Sequence, residues 1–126
     1  MNVILSIKPK YVQRIISKEK LFEFRKAIFK SVDHPSRVYI YSSDPVKKIV
    51  GYFTISEIIK DHPRQLWYKC KHASGIPEED FFEYFFQKQE GYAIAINEVT
   101  VFDNPLEPTE MIKNFTPPQS FAYVNG

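Results

Sequence analysis

The stretch Lys18-Glu19-Lys20-Leu21-Phe22-Glu23-Phe24-Arg25-Lys26 alternates charged and aromatic residues immediately after an amphipathic segment. Successive side chains of a β-strand point to opposite faces of the sheet. We therefore predict a strand here, with Phe22 and Phe24 on one face and Glu23 and Arg25 on the other.

The charged residues of this stretch allow two interpretations. Lys20 precedes the strand within reach of Glu23, so the carboxylate would lie between two cations, Lys20 and Arg25. The simpler interpretation is a half-buried strand with a surface ion pair, which is a common feature of sheets. The alternative is a binding site, because a carboxylate can hold the rigid fork of an arginine in place for a planar or anionic ligand.

Length and composition predict one folded domain spanning residues 1–126, with a proline-rich tail at 105–126 packed on it. Hydrophobic residues make up 44% of the chain, charged residues 25% and aromatic residues 16%, which is typical of a globular protein. The single cysteine, Cys70, excludes an internal disulfide and favours a reducing compartment. With no signal peptide or membrane-spanning stretch predicted, we expect a cytoplasmic protein that binds no membrane.

Charge is distributed unevenly along the chain. The net charge is +2, yet residues 1–72 hold fifteen of the seventeen Lys and Arg but six of the fifteen acids, a net charge of +9. Residues 73–126 carry −7. This asymmetry indicates a polyanion-binding surface in the first half, unless the acidic half folds over it.

The hydrophobic patterns predict strands at 3–7, 22–25, 37–41, 49–58 and 92–102. They predict helices at 9–17, after Asp61-His62-Pro63, and from Gly75 to Asp80 onward, with a loop at 31–36. About five strands, with a helix after the first and two helices before the last, predict an α+β protein built on a small mixed β-barrel.

Two motifs together resemble a known family. Leu5-Ser6-Ile7-Lys8-Pro9, followed by Lys20-Leu21-Phe22-Glu23-Phe24-Arg25, is similar to the ASCH domains, a branch of the PUA-like superfamily with the signature Gly-x-Lys-x-x-Glu-x-Arg. Lys20, Glu23 and Arg25 occupy the last three signature positions. Lys18 stands where the family usually has glycine, so the turn between helix and strand is expected to differ.

The resemblance extends over nearly the whole chain. It continues through Tyr41-Ser42-Ser43-Asp44-Pro45, Val50-Gly51-Tyr52-Phe53 and Pro117-Pro118-Gln119-Ser120-Phe121, the last of which is similar to the tail of small stand-alone bacterial and phage ASCH proteins. It implies a β-barrel with a cleft beside the signature, and a role in binding RNA or a modified nucleotide.

The first functional hypothesis is an RNA- or nucleotide-binding module with a regulatory role. Lysine and arginine side chains would contact phosphates, hydroxyls of the turn after the third strand would add donors, and aromatic rings would stack on unpaired bases. Trp67 is a further stacking candidate, although core packing is the alternative for every aromatic residue named. The predicted binding residues are Lys8, Lys20, Glu23, Arg25, Tyr39, Tyr41, Ser42, Ser43, Lys47 and Lys48.

The second hypothesis is a hydrolase, with Lys20 and Glu23 as the catalytic candidates. Some ASCH proteins hydrolyse acetylated cytidine with the signature lysine, a nearby threonine and a distant glutamate. Glu57 could supply that carboxylate, but residues 21–24 offer no hydroxyl, so this activity is predicted to be absent. Other ASCH proteins are ribonucleases, and metal-independent cleavage would use Lys20 or Glu23 as the base at a 2′-hydroxyl.

The third hypothesis, implied by the resemblance to larger ASCH proteins, is a protein-interaction adaptor in transcription regulation. It would use the acidic second half and the exposed part of the aromatic segment 81–86. No metal site is predicted, because His34, His62 and His72 lack paired ligand spacing. No cofactor is predicted either, since the chain has no glycine-rich phosphate loop or dinucleotide fingerprint.

Overall fold

The computed structural model describes residues 2–30, 37–118 and 121–124, and these form six strands and three helices. The strands are β1 (Asn2–Ile7), β2 (Phe22–Arg25), β3 (Val38–Ser42), β4 (Lys48–Asp61), β5 (Gly91–Leu106) and β6 (Phe121–Val124). The helices are α1 (Pro9–Ile16), α2 (Pro63–Cys70) and α3 (Glu78–Tyr84), with 3-10 turns at Lys71–Ala73 and Pro108–Glu110. The predicted loop at 31–36 lies outside the described residues.

The strands form one mixed sheet in the order β2-β5-β4-β3-β1-β6, which curves into a half-barrel. β1 pairs parallel with β3 and antiparallel with β6, and the other pairs are antiparallel. The predicted α+β class is therefore confirmed, while the predicted count of five strands is one too few among the described residues. The additional strand is β6, whose four residues follow a proline-rich stretch and pair with the far end of the chain.

The hairpin of β4 and β5 is longer than the patterns predict. β4 ends at Asp61 and β5 continues to Leu106, beyond the expected stop at residues 103–105. The two strands pair from Ile49↔Leu106 to Asp61↔Gly91 with several register shifts, so mutual hydrogen bonding outweighs the local turn signals. At Gly51 an added Cβ would lie 2.1 Å from the Thr100 carbonyl oxygen, which explains the glycine by close backbone approach.

Helix α1 begins at a proline, as predicted, and buries Val12 and Ile15 against the sheet. The chain leaves the helix through Lys18, whose backbone φ is 67°. The turn thus keeps the left-handed backbone that a glycine would supply, with a lysine in it. This turn delivers Lys20 to the start of β2.

Helices α2 and α3 close one end of the half-barrel with an aromatic cluster. Phe24 of β2 packs edge-on against Phe81 at a ring-centroid distance of 4.9 Å. Leu66 and Cys70 of α2 and Phe85 of α3 are buried in the same cluster. The aromatic face of β2 therefore anchors both helices, which fixes the position of α3 relative to the charged face of the strand.

The other sheet face is covered by the segment after β5. Met111, Ile112 and Phe115 pack against a buried cluster that contains Tyr39 and Tyr41.

No helix in the described residues is long and apolar enough to cross a membrane.

Candidate functional site

Lys20, Glu23 and Arg25 form a continuous ionic chain in the structure. The Glu23 carboxylate lies 3.0 Å from Arg25 Nη2 and 3.9 Å from Lys20 Nζ. All three residues are buried, with exposed fractions of 2%, 6% and 7% in sequence order. A surface ion pair is therefore ruled out. Burying three ionised groups costs free energy that their mutual pairing offsets only in part, which makes such a cluster more typical of function than of stability.

The Lys20 ammonium is held from several sides. Nζ donates a hydrogen bond of 2.9 Å to the Ser74 carbonyl and lies 4.6 Å from the Phe24 ring centroid. The segment between α2 and α3 is fastened further by Arg14 Nη1, which donates to the Gly75 carbonyl at 2.8 Å. Gly75 has φ of +65°, and an added Cβ would lie 2.3 Å from Lys20 Cβ. Only glycine therefore fits the backbone that covers the lysine.

Burial lowers the pKa of Lys20 from 10.5 to about 8. The Glu23 carboxylate acts in the opposite direction, and the Arg25 and Arg14 guanidiniums lower the pKa further. Lys20 is thus mostly charged at neutral pH but loses its proton far more readily than a surface lysine.

The Arg25 guanidinium is only partly satisfied by the protein. Nη2 donates to the Ser6 carbonyl at 2.9 Å and contacts Glu23, which fixes the orientation of the planar group. Nε is buried and has no hydrogen-bond partner among the described residues. A buried donor without a partner costs about 1–3 kcal/mol, so it marks a place where a ligand acceptor would be favourable.

These groups line a cleft of about 670 Å³ between α1, β2 and α3. This volume falls within the range of small-molecule sites, roughly 300–1,000 Å³. The cationic side chains that line it are Lys8, Lys10, Lys20, Arg25 and Lys26. The acidic side chains that line it are Glu23, Asp80 and Glu83. The acidic half of the sequence therefore contributes to the same cleft as the basic half, through helix α3.

The predicted binding residues divide into those at the cleft and those elsewhere. Lys8 and Ser43 line it with the signature residues. Tyr39, Tyr41 and Ser42 are buried and do not line it.

The basic residues of the turn after β3 also lie outside the cleft lining. Lys47 is exposed and contacts Asp44 at 3.4 Å, whereas Lys48 pairs with Glu107.

Of the other candidates that the sequence suggested, Trp67 packs against an aromatic ring and Glu57 is exposed. Trp67 packs on Phe81 at a centroid distance of 5.0 Å. Glu57 is exposed on β4 and does not line the cleft. No group of three His, Cys, Asp or Glu residues that could hold a metal is found in the described ranges, and His34 lies outside them.

Residues that the patterns did not predict for the site come mainly from helices. On α1, Arg14 donates a hydrogen bond to the Gly75 carbonyl, and Lys10 lines the cleft. Asp80 and Glu83 lie on helix α3 and also line the cleft. Their position depends on the packing of α3 against β2, which no local pattern encodes.

A family model described as "Domain of unknown function (DUF365)" matches residues 1–115. An ASCH domain-containing ribonuclease of Zymomonas mobilis is 25% identical over 129 residues, covering 98% of this chain and 84% of that protein. A large ribosomal subunit protein uL22 of Ureaplasma parvum is 26% identical over 125 residues, covering 98% of this chain and 39% of that protein.

Solved structures of an ASCH protein have a fold similar to that of this chain. The crystal structure of ASCH from Zymomonas mobilis has a TM-score of 0.89 at 24% identity, covering 98% of this chain and 87% of that one. A tyrosine-to-phenylalanine variant of the same protein has a TM-score of 0.90 at 24% identity, covering 98% and 90%. The fold implied by the signature residues is confirmed, and the chain belongs to the DUF365 family with the fold of an ASCH domain.

Proposed function

We propose that this protein binds RNA in the cleft centred on Lys20, Glu23 and Arg25. The observation that carries the proposal is the buried Arg25 Nε, which lacks a protein partner in a cleft lined by five cationic side chains. Phosphate oxygens and base edges are the acceptors that an arginine fork recognises best. The name of the Zymomonas mobilis relative, a ribonuclease, supports RNA as the ligand class.

The geometry favours unpaired RNA over a duplex. Arg25 is only 7% exposed, so its ligand must reach into the cleft rather than lie across its rim. Bases and phosphates of a single strand can be splayed into such a cleft, whereas a duplex holds its bases stacked and its phosphates on a convex surface. The three acidic side chains would repel a closely packed row of phosphates, which also favours one or two nucleotides inside the cleft.

The test is fluorescence anisotropy of labelled single-stranded RNA, duplex RNA and duplex DNA across a salt series. Two exposed lysines provide a matched pair of variants: Lys26 lines the cleft and Lys88 does not. We expect single-stranded RNA to bind most tightly, Lys26→Ala to weaken binding at least threefold and reduce its salt dependence, and Lys88→Ala to change neither.

Arg25 is tested with a conservative variant beside a truncation. Arg25→Lys keeps the charge but loses the fork and should retain part of the affinity, whereas Arg25→Ala should lose at least tenfold. Thermal melts of each variant separate loss of binding from loss of folding. Absence of RNA binding by the wild type, or equal binding by folded Arg25→Ala, would contradict the proposal.

A second candidate function is RNA cleavage in the same cleft. The observation that favours it is Lys20, whose pKa of about 8 suits proton transfer near neutral pH, with Glu23 3.9 Å away. Either group could accept the proton of a 2′-hydroxyl. We expect cleavage of a labelled RNA but not of its 2′-O-methyl counterpart, with loss of activity in Lys20→Met. Intact RNA after long incubation would restrict the function to binding.

A further inference from the structure

The first turn of α1 faces the cleft with an unused donor and no acid. Pro9 has no N–H, and the N–H groups of Tyr11 and Val12 both donate to the Lys8 carbonyl, at 2.9 and 3.0 Å. The Lys10 N–H is thus the first-turn donor left without an intrahelical carbonyl, and within the described residues no side chain caps this helix start. The positive end of the helix dipole adds to the charge of the Lys8 and Lys10 ammoniums.

A second, independent observation lies at the same end of the cleft. Arg25 Nη2 donates to the carbonyl of Ser6, two residues before Lys8, and Arg25 Nε is buried without a partner in the described part of the chain. A buried guanidinium with a free donor is therefore bonded to the strand end that leads directly into the open helix start. Ser43, whose backbone N–H donates to the Ile7 carbonyl at 3.0 Å, also lines this end and adds a hydroxyl.

The charge of the lining identifies the kind of anion that fits. Five cationic and three acidic side chains line the cleft, which leaves a net charge of +2 when Lys20 is protonated. A phosphodiester inside an RNA chain carries one negative charge. A phosphomonoester carries about −1.5 to −2 at neutral pH because its second pKa is about 6, and it offers three terminal oxygens instead of two.

We propose that the occupant of the cleft carries a phosphomonoester, bound between the start of α1 and Arg25. This inference rests on the proposed function for its site and deepens it by naming the recognised group. The phosphomonoester is either the terminal phosphate of an RNA or the phosphate of a free mononucleotide. Lys8, Lys10 and Arg25 bind its oxygens, and the acids Asp80 and Glu83 of α3 face the remainder of the ligand.

The experiment measures binding of one labelled RNA sequence in three forms, with a 5′-phosphate, a 3′-phosphate or hydroxyls at both ends. Uridine 5′-monophosphate, uridine and inorganic phosphate serve as unlabelled competitors. We expect one phosphorylated form to bind at least tenfold more tightly than the hydroxyl form, and the preference to shrink as the pH falls from 7 to 5.5. Lys10→Ala should remove most of this preference, whereas Lys88→Ala, at an exposed lysine outside the lining, should leave it unchanged.

The outcomes separate this inference from the proposed function. Equal binding of all three RNA forms would overturn the phosphomonoester while the RNA cleft stands. Direct binding of uridine 5′-monophosphate, measured by calorimetry, without binding of any RNA would support the phosphomonoester, assign it to a free nucleotide and overturn the RNA proposal. Binding of neither RNA nor mononucleotide would overturn both.

Discussion

Raising the pH from 7 to 9 should stabilise the wild-type protein relative to a Lys20→Met variant. Burial lowers the pKa of folded Lys20 from 10.5 to about 8, a difference worth about 3 kcal/mol. Between these values the unfolded chain binds more protons than the folded one, so the free energy of unfolding rises with pH. From pH 7 to pH 9 the free energy of unfolding should rise by about 1 kcal/mol, because this range crosses only part of the interval between the folded pKa of about 8 and the ordinary value of 10.5.

The assay is urea denaturation of both proteins at several pH values, followed by the fluorescence of Trp67, the single tryptophan. Methionine removes the charge, keeps much of the volume and leaves Glu23 paired with Arg25 at 3.0 Å. The series stops at pH 9, because burial raises the pKa of the Cys70 thiol to about 11 and its titration opposes the lysine above that pH. Lys88→Met is the control and should show no pH-dependent difference from wild type.

A direct reading comes from the ¹³Cε chemical shift of Lys20 followed by NMR through the same pH range. We expect a midpoint near 8 instead of the ordinary value of about 10.4. A midpoint near the ordinary value, together with an unchanged stability difference between pH 7 and 9, would refute the argument that burial controls this lysine.

Four further substitutions, one of them a control, test the packing around the site, and each is measured by urea denaturation. Lys18→Gly should stabilise the protein by about 0.5–1 kcal/mol by relieving the φ of 67°, whereas Glu19→Gly beside it should destabilise it. Gly75→Ala should cost at least about 2 kcal/mol and broaden the NMR signals of Lys20, since the new Cβ would lie 2.3 Å from Lys20 Cβ; an unchanged midpoint would contradict this close contact. Phe81→Ala should cost about 3–5 kcal/mol because its ring is fully buried between β2 and α2, and a loss below about 1 kcal/mol would show that α3 is not anchored there.

Local sequence was sufficient to predict the ionic chain but not its surroundings. The period-two alternation placed Glu23 and Arg25 on one face of β2, and the distance of 3.0 Å between them agrees. The Ser74 carbonyl that accepts the hydrogen bond from Lys20 is 54 residues away, and its position depends on how α2 and α3 pack. Patterns within a window of ten or twenty residues carry no information about such a contact.

Tyr39 and Tyr41 of β3 also have surroundings that local patterns could not predict. Along the third strand Tyr39 and Tyr41 alternate with the apolar Val38 and Ile40, a pattern that suggested rings available for stacking. In the structure the ring centroids of Phe115 and Tyr41 lie 5.1 Å apart, and those of Tyr39 and Tyr52 lie 5.7 Å apart. The second face of the sheet is thus covered by Met111, Ile112 and Phe115. These residues belong to the tail at 105–126 that was expected to pack on the domain, but local patterns did not indicate which face it would cover.

RNA binding in the cleft is tested most directly by the NMR signal of the Arg25 Nε–H group during titration with single-stranded RNA. The chain has four arginines, so these signals are few, and Arg25→Lys assigns the one that matters. Arg25 Nε is buried without a partner among the described residues, and RNA bound in the cleft should shift its proton downfield and slow its exchange with water. If RNA binds while this signal stays unchanged and the shifts fall on another surface, the cleft is not the RNA site.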